Sequence, residues 1–107
     1  MNDPVKNDRL SEYIKEQVSE FIARESNHSS LVTVTRVRLA NSLKKAEVLI
    51  TVYPEEKEQE VLNFLKRTGN DVRNYVKNHI RTRTIPFLDF LVDGGEKNRQ
   101  RIDELSQ

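Results

Sequence analysis

The sequence predicts an α+β domain in which three strands form one sheet and helices cover one of its faces. Residues 8–25 place apolar side chains at helical spacing, whereas residues 31–53 alternate apolar and polar side chains as strands do. A second helical region, residues 55–80, precedes a short apolar strand. At 107 residues the chain is expected to be one domain, residues 1–107, with frayed ends at 1–7 and 106–107.

The first helix is expected to begin after Asp8, whose carboxylate can accept a backbone N–H of the first turn. The polar stretch SNHSS, residues 26–30, ends it. One face carries apolar residues three and four positions apart, namely Leu10, Tyr13, Ile14, Val18, Phe21 and Ile22.

Residues 31–53 are predicted to form a β-hairpin with a polar turn at residues 41–45. In the first strand the apolar residues change parity after Val34, so a β-bulge near Thr35–Arg36 is needed to keep them on the core side. Such a bulge directs Arg36 and Arg38 outward. The second strand alternates without interruption.

The apolar periodicity of residues 55–80 fits either one long helix or a kinked pair of helices. We favour a break at Gly69, because glycine weakens a helix and one uninterrupted helix would be unusually long for so small a domain. The predicted kink comprises Thr68, Gly69 and Asn70.

Pro86 precedes the third strand, in which Leu88, Phe90 and Val92 are predicted to lie on one side. Asp93-Gly94-Gly95 is predicted to be a turn, followed by a short helix over residues 96–105. The complete order is helix, strand, strand, helix, kink, helix, strand and a short C-terminal helix.

The composition argues against several classes of protein. Hydrophobic residues make up 36% and charged residues 33%, with a net charge of +1, so no overall charge points to nucleic acid. Without cysteine the chain has neither disulfides nor sulfur-ligated metals. No signal segment and no run of about 18 apolar residues is present. We therefore expect a cytoplasmic protein without a membrane partner, and nothing demands more than a monomer.

No arrangement of residues that would support catalysis can be recognised. His79 lies beside a buried stripe, where a partly buried structural histidine is more common than a catalytic one. The pair Asp93 and Glu96 is weak evidence for a metal site. We expect no enzymatic activity, no cofactor, no metal and no small-molecule substrate.

The charges are distributed unevenly along the helical region. Residues 66–83 contain six cations and one acid, whereas residues 54–60 contain four glutamates and one lysine. Arg73, Lys77 and Arg81 follow each other at four-residue intervals and would form one stripe on a helix. Such a stripe suits a row of phosphates, although a solvated helix face is the plain alternative.

The predicted nucleic-acid-binding residues fall into two groups. The first group lies on the helical region, and the second lies on the hairpin, from which it would extend the stripe. For the hairpin residues a solvated surface is the more common role. No strand shows repeated exposed aromatic residues, so phosphate and shape recognition is expected rather than base stacking. The first group is Lys66, Arg67, Asn70, Arg73, Lys77, Arg81 and Arg83, and the second is Arg36, Arg38, Lys44 and Lys45.

The order of elements resembles the type II KH domain, an RNA-binding fold, although its GxxG loop is absent. The chain more closely resembles the ribosome-binding factor A family over about residues 8–105. The family pattern R-x-R-x-x-P-x-L-x-F-x-x-D is carried here by Arg81, Arg83, Pro86, Leu88, Phe90 and Asp93. The hairpin NSLKKAEVLITV and the closing Glu96, Arg101, Ile102 and Leu105 support the resemblance.

This sequence departs from the family pattern at the kink. An Ala-x-Gly stands there in the family, whereas this chain has Thr68-Gly69-Asn70, with the glycine one residue earlier. The resemblance implies a non-enzymatic factor that binds immature 30S ribosomal subunits, contacts 16S rRNA and assists its maturation. The alternative is a KH-like protein-interaction module without an RNA role, which could use the acidic residues 54–60 to bind a basic partner.

Overall fold

The computed structural model describes residues 4–40, 44–79 and 85–106, with the side chains of residues 9–40, 44–79 and 85–100. The order of elements is the predicted one, and the α+β architecture is confirmed. The elements are α1 (Pro4–Glu25), β1 (Leu31–Leu39), β2 (Lys45–Tyr53), a 3-10 turn (Glu55–Lys57), α2 (Glu58–Arg67), α3 (Gly69–His79), β3 (Phe87–Val92) and α4 (Gly94–Ser106).

The three strands form one sheet in the order β1-β2-β3. β1 and β2 pair antiparallel as a hairpin, whereas β2 and β3 pair in parallel. A parallel pair needs a long crossover, and α2 and α3 provide it. The junction between these helices consequently lies beside the edge strand β3.

The predicted β-bulge is confirmed in β1. Val34 pairs with Ile50 and Arg36 with Leu49, so the register shifts by one residue and Thr35 is the extra residue. The shift keeps the apolar residues on both sides of the bulge buried, and it leaves Arg36 exposed.

The core lies between one face of the sheet and helices α1, α2 and α3. Ile14 and Val18 of α1 have no exposed surface, and neither do Leu65 of α2 and Val72 and Val76 of α3. The strands contribute the alternating residues that the sequence indicates, which are Val34, Val37, Ala46, Val48, Ile50, Val52, Leu88 and Phe90.

The start of the chain differs from its prediction. Helix α1 begins at Pro4, so residues 4–7 are helical rather than frayed, and Asp8 lies inside the helix where it cannot cap it. The fixed φ of proline and its missing N–H suit the first position of a helix. At the other end, Ser106 is the last residue of α4 and is likewise helical.

Asp93 immediately precedes α4 and caps it instead of forming a turn with the two glycines, which lie in the first helical turn. Its Oδ1 accepts the backbone N–H of Glu96 at 3.1 Å, and its Oδ2 accepts the hydroxyl of Thr35 at 2.6 Å. These hydrogen bonds, led by that of Thr35 and aided by the charge of Arg36, lower the pKa of Asp93. Asp93 thus joins the bulge of β1 to the start of α4.

Lys97 connects α4 to the beginning of α2. Its Nζ lies 2.6 Å from a carboxylate oxygen of Glu55 and 2.8 Å from one of Glu58. The hydrogen bonds to Glu55 and Glu58 raise the pKa of Lys97. The expected apolar anchors of this helix, Ile102 and Leu105, lie outside the described side chains.

Candidate nucleic-acid interface

The helical region is divided into two helices, but the break lies at Thr68, one residue before the favoured Gly69, which is the first residue of α3. Both the backbone N–H and the hydroxyl of Thr68 donate to the carbonyl oxygen of Phe64, at 2.9 and 2.8 Å, so the hydrogen bonding of α2 extends to Thr68. Its own carbonyl oxygen accepts the N–H of Val72 at 2.9 Å, the first helical bond of α3. Thr68 has φ −97° and ψ 12°, outside the helical region, and this turns the chain.

The backbone conformation of Gly69 is not one that requires glycine. No glycine among the described residues has a positive φ, and a Cβ built at Gly69 would meet nothing within 4 Å. The backbone leaves the helical region at Thr68, so the bend in this chain does not require the conformational freedom of Gly69.

A cleft of about 330 Å³ opens where this junction faces β3. Five predicted site residues line this cleft together. Their spacing along the sequence did not by itself show that they meet at one cleft. From the helices these are Lys66, Arg67, Gly69, Asn70 and Arg73, beside Leu65, and from the strand Phe87, Leu88, Asp89 and Phe90.

Arg73 is hydrogen-bonded to the backbone of the segment that leads into β3. Its Nε and Nη2 donate to the carbonyl oxygen of Ile85, at 3.1 and 2.7 Å. A carbonyl oxygen carries no net charge, so this contact is not an ion pair, and the remaining N–H groups of Arg73 can still donate. Arg73 therefore has a structural role in addition to any contact with a ligand.

The remaining cations of the helical group are exposed. The Arg67 guanidinium lies 6.0 Å from the centre of the Phe64 ring, while Lys66 and Lys77 form no ion pair within the described residues. Lys77 lies one helical turn beyond Arg73 on α3. The predicted stripe continues to Arg81, and Arg83 follows it, but both lie outside the described residues.

The hairpin cations are exposed, as predicted, yet several face acids. Arg38 lies 3.1 Å from a carboxylate oxygen of Glu47, and Lys45 lies 3.4 Å from one of Asp89. These pairs neutralise part of the second predicted group. The ion pair with Lys45 also neutralises Asp89, which is the one acid among the residues that line the cleft.

The hairpin and the cleft meet at Phe87. Its N–H donates to the carbonyl oxygen of Lys44 at 2.9 Å, and Lys45 is its register partner on β2. Its side chain is 61% exposed. The sequence prediction missed Phe87, although the alternation that buries Leu88 and Phe90 already indicated that it faces away from the core.

The prediction that His79 is partly buried is wrong. His79 is exposed, its ring centre lies 4.4 Å from that of Tyr75, and its Nδ1 lies 2.7 Å from the Tyr75 carbonyl oxygen. In the part of the chain that the structure describes, no three His, Asp or Glu side chains come close enough to hold a metal ion. Over the same residues no helix has the length and apolar character needed to cross a membrane.

Comparison with known proteins identifies the family. The sequence model described as ribosome-binding factor A matches residues 6–106. The chain is 34% identical over 99 residues to ribosome-binding factor A of Thermodesulfovibrio yellowstonii, an alignment that covers 91% of this chain and 84% of that protein. The protein of that name from Thermomicrobium roseum is 31% identical over 100 residues, covering 91% of this chain and 78% of that one.

Solved structures agree with the sequence comparison. The crystal structure of ribosome-binding factor A from Thermus thermophilus has a TM-score of 0.72 and 25% identity, over 80% of this chain and 94% of that one. A homology model of the Thermus thermophilus protein, fitted into a cryo-EM map of a 30S–RbfA complex, has a TM-score of 0.62 and 26% identity, over 80% and 89%. By its sequence and its fold, this chain belongs to the ribosome-binding factor A family.

Proposed function

We propose that this protein is a non-enzymatic assembly factor that binds the immature 30S ribosomal subunit through 16S rRNA and assists the maturation of that RNA. It acts as a monomer in the cytoplasm without a cofactor or a small-molecule substrate. Membership of the family and the likeness to a protein fitted into a 30S complex support this proposal. The observation that carries it is the convergence of cations on the cleft at the α2–α3 junction.

Phosphate contacts would be made by cations whose charge is not cancelled by neighbouring acids. Lys66, Arg67 and Arg73 line the cleft, and the acid among its lining residues is paired with Lys45. Lys77 extends the same surface along α3. Binding to phosphates releases counterions, so affinity for the subunit should fall steeply as salt rises.

The alternative, a protein-interaction module without an RNA role, has less support from the structure. The observation in favour of this alternative is the acidic segment at residues 54–60, which could bind a basic partner. Lys97 already contacts Glu55 and Glu58, and Lys57 lies 3.4 Å from Glu60. Much of the negative charge is therefore balanced within the chain.

The proposal is tested by co-sedimentation with purified 30S and 70S particles at about 50 mM and about 200 mM salt. We expect binding to free 30S subunits, weaker at the higher salt, and none to 70S particles. Exchanging Lys66→Glu and Lys77→Glu together should weaken binding by at least about tenfold, because two phosphate contacts are lost and repulsion is added. Arg73 is left unchanged because its exchange would also break the contact with Ile85.

Normal 30S binding by the folded double variant would contradict the assignment of the cleft. Absence of binding by the unmodified protein to either particle would contradict the proposed function itself. Retention on a protein partner at high salt, without affinity for rRNA, would favour the alternative module.

A further inference from the structure

Phe87 is a large apolar side chain that the fold leaves outside the core. It is 61% exposed, whereas its neighbours Leu88 and Phe90 are 6% and 3% exposed. The first residue of an edge strand has no structural need for an aromatic ring that faces water. Beside a charged cleft, such a ring offers a flat, apolar surface on which a planar ligand can stack.

The residues around Phe87 indicate the chemical class of ligand that this surface would bind. On one side it shares the lining of the cleft with Lys66, Arg67 and Arg73. On the other side Lys44, just before β2, and Lys45, its first residue, adjoin it through a backbone hydrogen bond and the parallel register. Lys45 is paired with Asp89, so Lys44 is the unpaired cation of the two among the described residues. An aromatic surface with cations on both sides suits a ligand that alternates anionic groups with planar rings, as single-stranded RNA does.

We propose that Phe87 is a stacking platform for one unpaired base of single-stranded RNA, whose flanking phosphates contact the cations of the cleft. The inference rests on the proposed function, and it adds that the site selects unpaired nucleotides. A base inside a duplex is already stacked on its neighbours and has no free face for the ring. Asn70, which also lines the cleft, offers an amide donor and acceptor to the edge of the base.

A matched control lies on the same sheet. Tyr53 is 68% exposed, it stands at the end of β2 opposite Leu31, and it is not among the residues that line the cleft. A general effect of removing an exposed aromatic ring should be the same for Tyr53→Ala and Phe87→Ala. If Phe87 stacks on a base, Phe87→Ala should weaken RNA binding whereas Tyr53→Ala should not.

The test measures binding of a labelled single-stranded oligoribonucleotide of about ten residues by fluorescence anisotropy. The same oligonucleotide without its bases and an RNA hairpin duplex serve as comparison ligands, and 30S co-sedimentation is run in parallel. We expect Phe87→Ala to weaken binding of the intact oligonucleotide about five- to a hundredfold, the range found when a stacking ring is removed. Phe87→Trp should retain binding, and Tyr53→Ala should leave it unchanged.

Two further readouts separate stacking from charge. The slope of log Kd against log salt should be the same for Phe87→Ala as for the unmodified protein, because no phosphate contact is removed. The base-free oligonucleotide should bind weakly and be insensitive to Phe87→Ala. Urea unfolding of each variant checks that the fold is unchanged.

Equal binding of the intact oligonucleotide by Phe87→Ala and the unmodified protein would overturn the inference. A protein that binds 30S subunits but no single strand would also overturn it, while the proposed function would stand. A protein that binds neither would overturn both. Loss of 30S binding by Phe87→Ala with unchanged oligonucleotide binding would overturn base stacking and assign the ring to a protein contact on the subunit.

Discussion

Arg73 and Thr68 show how single residues set the shape of the candidate site. The two hydrogen bonds from Arg73 to the Ile85 carbonyl oxygen hold α3 to the segment that leads into β3. Thr68 lies between α2 and α3 and is joined to both by three hydrogen bonds. Both residues therefore position the cleft walls, and exchanging either would alter the geometry as well as the charge of the site.

Asp93 gives a prediction about stability and pH. Asp93→Ala removes the α4 cap and the acceptor of the Thr35 hydroxyl, so we expect the free energy of unfolding to fall by about 1–2 kcal/mol at neutral pH. Asp93→Asn keeps a capping oxygen and should cost less. Urea denaturation, followed by circular dichroism, measures both.

The sign of the pH effect follows from the lowered pKa of Asp93. A carboxylate whose pKa is lower in the folded state stabilises the fold above its unfolded pKa, about 4, and loses this contribution as pH falls through the folded value. The difference between the unmodified protein and Asp93→Ala should therefore shrink below about pH 4. A difference that stays constant down to acid pH would mean that the charge of Asp93 contributes nothing.

At the scale of elements, the junction of α2 and α3 predicts that Gly69 is replaceable. The added methyl group of Gly69→Ala meets no atom within 4 Å, and the backbone needs no positive φ there. We expect the free energy of unfolding to rise by about 0.4–1 kcal/mol, because alanine loses less backbone entropy on folding. A loss of stability in urea denaturation would show that the junction requires glycine.

The attachment of α4 to α2 gives a second prediction for an element. Lys97→Met removes the two contacts with Glu55 and Glu58, so we expect faster amide hydrogen exchange in α4 and unchanged exchange in β2. Lys57→Met is the matched control, since Lys57 pairs with Glu60 only three residues away. Equal exchange in α4 for both variants would contradict a role of Lys97 in fastening the helix.

The pH dependence of this attachment has the opposite sign to that of Asp93. The pKa of Lys97 is raised in the folded protein. Its contribution is therefore complete below the ordinary lysine pKa of about 10.4, and it is lost as pH rises through the raised value. The stabilising contribution of Lys97 should therefore be present at neutral pH and diminish only in strong alkali.

At the scale of the whole molecule, the distribution of charge matters more than its sum. The net charge is +1, so uniform attraction to RNA is weak, and the proposed affinity depends on where the cations lie. Each Lys→Glu or Arg→Glu exchange lowers the net charge by two. The pair Arg9→Glu and Lys15→Glu on α1 thus matches Lys66→Glu and Lys77→Glu in charge.

We expect the α1 pair to reduce 30S binding much less than the pair at the cleft, in the co-sedimentation experiment described above. Local contacts persist at short range, whereas interactions over more than about 8–10 Å are screened at physiological salt. Equal loss of binding by both pairs would mean that total charge, rather than the cleft, determines affinity.

Much of the fold follows from periodicity, which is a property of each element alone. The change of parity after Val34 predicted the bulge, and the helical spacing with Gly69 predicted two helices. Caps were harder to predict, because a residue such as Asp93 can end a turn or begin a helix. In the structure Asp93 caps the helix, and its second carboxylate oxygen accepts the Thr35 hydroxyl from a strand 58 residues away, a contact that local sequence does not reveal.

The sequence by itself determined the element order, the sides of each strand that face the core, and the concentration of cations in the second helical region. The tertiary structure alone decided which of those cations share a cleft, which are neutralised by acids from other strands, and that Phe87 lies among them. The physical reason is that periodicity reports whether a side chain is buried, whereas its neighbours depend on how distant elements pack. The parallel crossover brings α2 and α3 against β3, and that packing creates the cleft.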